Sequence, residues 1–364
     1  MFHRSAQPLR HEARGFVAAL GACCALGCGG VAASPDAAPS PEAAPEAAEP
    51  RPPLSRPPAK ASRAGGCAAD GVVWSSVELR TPAQVDALAG CERVAGDLSL
   101  LGLVSTPTTA LSSLKAVDGV LSVLGIATEV ALDGFVSLEQ VGGLVLQRLD
   151  HPHLSALGRL RTIGPTDPTD PRRGKLEISL CSELFSLAGL DSLESLDSLV
   201  LRDNATLTRL SGMTRLRELR SLDAENNALL NLDGIAPVRE LRLVSSQVTR
   251  LRELGEVPQL RRLVLGENAA LSTLLGGRLP AEMDEIVLRH NDRLEDLAGL
   301  EQLASVGVLS ITDNPLLEQV GLPQLQRADR LCVWGNGSLS EVALAPLRAV
   351  AGAQPVAGES ASCQ

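Results

Sequence analysis

The chain states one phrase many times: a branched apolar residue, a variable one, a second small or apolar residue, and three positions later an Asn. "LVLRDN", opening at Leu199, is answered by "LDAENN" at Leu222. Starts of this kind fall at Leu98, Leu121, Leu144, Leu176, Leu199, Leu222, Leu241, Leu263, Ile286, Leu309 and Leu331. Most steps are 22 or 23 residues, with one of 19 from Leu222 to Leu241 and one of 32 from Leu144 to Leu176. A fixed period of this length marks a repeat architecture in which each unit stacks only on its neighbours.

Within one unit the alternation in Leu199-Val200-Leu201 predicts a short strand with both leucines inward and Val200 outward. Asn204 then marks a turn. Stacked coils about 4.8 Å apart align such residues into an inward ladder of Asn204, Asn227, Asn268, Asn291, Asn314 and Asn336, with Cys181 and Ser246 at the same place in their coils. A buried amide needs partners, so the ladder is read as structural. Leu207, Leu210, Leu216 and Leu219 fill the remaining inward corners. The expected fold is a repeat solenoid, mainly β: a right-handed parallel β-helix of leucine-rich-repeat type with about eleven coils, one for each start.

Composition fits that reading. Of 364 residues 45% are hydrophobic and only 2% aromatic, so a core of Leu, Val, Ile and Ala in thin layers is expected. A formal charge of −10 without clustered Lys and Arg argues against nucleic-acid binding.

The ends differ from the repeats. Arg4, Arg10 and Arg14 precede the apolar run "GFVAALGACCAL" and then "GCGG", the order of a basic region, a short apolar region and a small-residue cleavage zone. The run is too short for a bilayer span of about 20 residues. Residues 1–27 therefore read as an export signal. They resemble a bacterial lipoprotein signal, in which Cys28 becomes the lipidated first residue; Cys23 is the rival position. Residues 28–66, rich in Pro and Ala, read as a tether with too little apolar surface to fold. The solenoid is placed at 67–350 and a tail at 351–364.

The segment "CAADGVVWSSVELRTPAQVDALAGCERVAGDLSLLG", Cys67 to Gly102, resembles the first turn of the receptor L domain, the solenoid module of insulin- and EGF-receptor ectodomains. In that family a Cys opens the domain and a second precedes "x-V-x-G-x-L-x-I", matched here by Cys67, Cys91, Val94, Gly96, Leu98 and Leu100. The resemblance implies a Cys67–Cys91 disulfide. It concerns architecture, since these domains share a scaffold and no single ligand. Of the other cysteines, Cys332 lies outward on the last strand, where the tail could lay Cys363 across it, and Cys181 stays free in the ladder. No pair outside the signal has zinc-ligand spacing.

Outward strand positions form the surface on which chemistry is sought. Val200, Val264 and Val287 make an apolar strip among Arg202, Asp223, Arg242, Arg262 and Arg289, an arrangement suited to a protein or peptide ligand. The alternative is a solvated face whose charges pair across coils. One lateral row, Glu267, His290 and Asp313, offers two carboxylates around an imidazole and thus an enzyme reading, a carbohydrate-active β-helix; the plainer reading is an exposed turn edge where polar residues are easily tolerated. "HPHL" at His151 and His153, and Asp167 with Asp170 in the insertion "GPTDPTDPRRGK", are weaker metal candidates. No nucleophile elbow or phosphate loop occurs. The expectation is a monomeric, non-catalytic recognition module without cofactor or metal, lipid-anchored at the bacterial envelope; a purely structural envelope lipoprotein is the bland alternative.

Overall fold

A computed structural model describes residues 66–350 and the pair 355–356, except 104–106, 127–131, 166, 168, 252, 253, 255, 256 and 277. The described residues belong to one compact unit. They form a parallel β-solenoid built on a single 16-stranded sheet.

The repeat starts and the strands coincide. Leu98 pairs in register with Leu121, which pairs with Leu144, and the column continues through Leu176, Leu199 and Leu222. It runs on through Leu241, Leu263, Ile286, Leu309 and Leu331 without a slip. Register is fixed this firmly because a one-residue shift would turn every inward side chain to the outside. A second inward column, Leu201, Ala224, Leu243, Leu265, Leu288 and Ile311, is likewise buried. The short step to Leu241 and the long one to Leu176 leave this register intact, because the difference in length is taken up in the connections.

The first rung lies before Leu98. Val77–Leu79 pairs with Leu98–Leu100, and the helix Pro82–Asp86 follows it, opened by a capping box between Thr81 and Gln84. Cys67 and Cys91 are joined by a disulfide, with Cα atoms 5.6 Å apart. At the other end the helix Glu341–Arg348 follows the last full strand, Arg327–Trp334. Beyond the predicted solenoid boundary, Pro355–Val356 pairs with Leu331 and Cys332, so the tail adds a short rung of its own.

The inward Asn residues make the predicted ladder. Asn268 N–H donates to Asn291 Oδ1 at 3.1 Å, Asn291 N–H to Asn314 Oδ1 at 3.1 Å, and Asn314 N–H to Asn336 Oδ1 at 3.0 Å. Each side-chain amide also donates to a carbonyl of the preceding coil, such as Leu265 O from Asn291 at 3.1 Å. Ser246 and Cys181 join by their N–H groups, donating to Asn268 and Asn204. Cys181 is a free buried thiol, and that burial pushes its pKa up.

A second row stands one residue earlier. Arg148, Leu180, Asp203, Asn226, Ser245, Glu267, His290 and Asp313 all have φ between 52° and 57°, and Gly102, Gly125 and Gly335 take the same place with positive φ. This left-handed residue turns the chain at the strand end while keeping the ladder closed. Its N–H donates to the next coil, as Glu267 does to Arg289 O and His290 to Thr312 O. A third row is glycine by necessity. Gly212 has φ 123°, and a Cβ there would lie 2.2 Å from Leu187 O, where one coil's backbone crosses the next.

The insertion folds back on the early coils. Arg172 donates to Asp170 and to Asp97 Oδ2, at 3.1 Å, and Arg173 donates to Asp118 O at 2.7 Å.

Candidate functional site on the sheet face

Alternation places Ser99, Ser122, Val145, Glu177, Val200, Asp223, Arg242, Val264, Val287, Ser310 and Cys332 in one outward column, each paired in register with the next. The column is not uniform. Val200 is buried, whereas Val264 and Val287 are half-exposed.

The charges divide in the same way. Arg202 reaches Asp223 at 2.8 Å and Glu225 at 3.4 Å; Arg242 reaches the same two carboxylates at 2.6 and 2.8 Å. Burial works against the Arg242 charge, but the hydrogen bonds it donates to Asp223 and Glu225 outweigh that and push its pKa further up. In these coils the paired reading of the charges holds: two cations and two anions satisfy one another beside Val200. Arg262 and Arg289 make no ion pair with the described residues, although the register sets Arg262 between Glu240 and Glu285.

Arg289 and Val287 line a concavity of about 430 Å³ over the last three full strands, together with Glu285, Val308, Arg330 and Trp334. Arg289 packs closely over Gly266 of the preceding coil, where a Cβ would lie 3.1 Å from Arg289 Nε. Arg330 and Val308 belong to this site but are not singled out by the sequence pattern. The signal was available, since each precedes a repeat start and alternation turns it outward.

The lateral row takes a different meaning. Glu267, His290 and Asp313 occupy the left-handed turn column, where backbone conformation accounts for their position. His290 Nε2 stands 3.7 Å from Asp313, while Glu267 instead accepts from Ser245 Oγ at 3.2 Å. Among the described residues no three His, Cys, Asp or Glu side chains gather where they could hold a metal ion. His151 accepts from the His153 N–H, and the two rings meet edge to face. Asp167 and Asp170 are engaged by Thr169 and Arg172.

Cys332 is disulfide-bonded. Its expected partner Cys363 lies outside the described residues, as do the lipidation candidate Cys28, the export signal and the tether. No helix among the described residues is long and apolar enough to cross a membrane. No family model matches the chain, and a search of curated proteins found no match.

Proposed function

We propose that the chain is a non-catalytic recognition module of receptor L domain type, a right-handed solenoid held at the bacterial cell envelope by lipid on Cys28, whose sheet face binds a protein or peptide ligand. One observation carries the binding reading. Beyond the self-neutralised Arg202–Arg242 group, the face presents half-exposed Val264 and Val287 beside Arg262 and Arg289, cations with no ion pair among the described residues. An apolar centre with polar groups still free to pair is the anatomy of a recognition surface.

A peptide array probed with the purified protein tests this. Val264→Asp and Val287→Asp each place a charge on the half-exposed strip and should abolish array binding while the melting temperature moves little. Binding that survives both substitutions moves the site off this face. The anchor is tested separately: mass spectrometry of the membrane fraction should find lipid on Cys28, and Cys28→Ser should release the protein. An unlipidated N-terminus downstream of Cys28 would make the chain a secreted one.

A further inference from the structure

The concavity over the strands Glu282–Arg289, Ser305–Thr312 and Arg327–Trp334 has the chemistry of a site waiting for an anion. We propose that it takes a carboxylate of an acidic peptide, with Arg289 as its principal contact. This rests on the sheet-face reading above and assigns that face a ligand chemistry.

Among the described residues only three buried side-chain polar atoms lack a hydrogen-bond partner: Ser179 Oγ, Arg289 Nε and Trp334 Nε1. Two of the three belong to the lining of this one concavity. Guanidinium and indole nitrogens can only donate, so the partner missing from the site is an acceptor. A buried donor without one is costly, and a cluster of such donors calls for an explanation. Arg330 adds a second cation that makes no ion pair with the described residues.

The acids in the lining do not fill the role. Asp313 faces His290 at 3.7 Å. Glu285 stands four residues before Arg289 on the same strand, and therefore about 13 Å away along the sheet. Around Arg242, by contrast, two carboxylates already occupy the guanidinium. A ligand carboxylate would give Arg289 the anionic acceptor that Asp223 and Glu225 give Arg242 through its Nη1.

The floor argues for a peptide. Val287, Val308 and Ser310 on adjacent strands present small side chains in alternation, which suits the side chains of an extended chain. Trp334 is the single Phe, Tyr or Trp side chain of the lining, fewer than a row of stacked sugar rings would use.

The probe is hexaglutamate, with hexaglutamine and oligogalacturonate beside it. Trp74 and Trp334 are the only tryptophans, so in a Trp74→Phe background the emission of Trp334 reports the site. Hexaglutamate should shift that emission and hexaglutamine should not. By calorimetry on the otherwise unaltered protein, Arg289→Gln should weaken hexaglutamate at least about tenfold. Trp334→Phe keeps a ring but removes the N–H and should weaken it about threefold to tenfold, while Lys115→Gln on a distant coil should change nothing. Hexaglutamate binding that ignores Arg289→Gln overturns the proposal, as does oligogalacturonate binding more tightly than any peptide. Neutral array peptides that are lost with Val264→Asp but kept with Arg289→Gln would overturn this inference and leave the sheet-face reading standing. Failure of hexaglutamate and of every array peptide would remove both.

Discussion

Asn268 donates twice to one atom: its main-chain N–H and its side-chain Nδ2 both point at Asn291 Oδ1, at 3.1 and 3.3 Å. Asn291 in turn donates from Nδ2 to Leu265 O and to Asn314 Oδ1, each at 3.1 Å. One side chain therefore satisfies buried groups of the coil before it and the coil after it. Asn291→Ala would orphan several of them, each worth about 1–3 kcal/mol when buried unpaired. A loss of more than about 3 kcal/mol in denaturant unfolding is expected. Asn291→Asp should fall short of rescue, because it keeps the acceptor and loses the donor.

The left-handed column gives a prediction of the opposite sign. Leu180 sits there with φ 57° and is 39% exposed, so it bears a conformational cost of about 1–2 kcal/mol while burying little. Leu180→Gly should raise stability, by about 1 kcal/mol, against the usual penalty for adding a glycine. The control is Gly212→Ala, where positive φ and the Leu187 carbonyl both resist a Cβ. That substitution should lower stability by several times as much, and equal thermal shifts for the two would refute the assignment of these columns.

The insertion is held by ionised carboxylates. Asp170 titrates below its ordinary value of 3.8 because Arg172 donates to its carboxylate, and Asp167 does so because Thr169 donates to it. Since the folded values are the lower ones, the anchoring is complete above about pH 4 and is lost only as pH falls through them. Hydrogen exchange corrected for intrinsic rate should show residues 170–175 protected from pH 7 down to about pH 4 and opened as pH falls further below the ordinary carboxylate value. Asp170→Asn should open them at pH 7.

The Arg242–Asp223 contact is half-buried and shared with Glu225 and Arg202. A double-mutant cycle with Arg242→Ala and Asp223→Ala should give a coupling of about 1 kcal/mol that shrinks in high salt, the upper range for exposed pairs because the four groups form a network. Arg242→Ala should cost little ligand affinity compared with Arg262→Ala, because the first guanidinium is already occupied within the sheet.

The sheet register was legible in the sequence because strand starts are a matter of apolar period, and the column from Leu98 to Leu331 needed nothing else. The turn column was legible as an exposed turn edge, but its left-handed backbone was not. Glu267, His290 and Asp313 look like chemistry when read as side chains, yet Gly102, Gly125 and Gly335 in the same column point to backbone. Which charges pair was also beyond the pattern. Arg202 and Arg262 both stand near carboxylates by register, and only rotamers and local crowding decide that the first is engaged. The concavity around Arg289 rests on such details too, namely the close packing of Arg289 over Gly266 and the presence of Trp334 in its lining.

The hydrogen bonds between Asn268, Asn291 and Asn314 all run in one direction, each coil donating forward to an acceptor like the one it displays behind. A segment of 23 residues, the step from Asn268 to Asn291 and again to Asn314, can therefore be duplicated or deleted as a block, and the cut ends meet as identical donor and acceptor. Gene-level changes of that size would lengthen or shorten the molecule without creating a new kind of interface. Changes of any other length must be absorbed in the connections, as the 19- and 32-residue steps are.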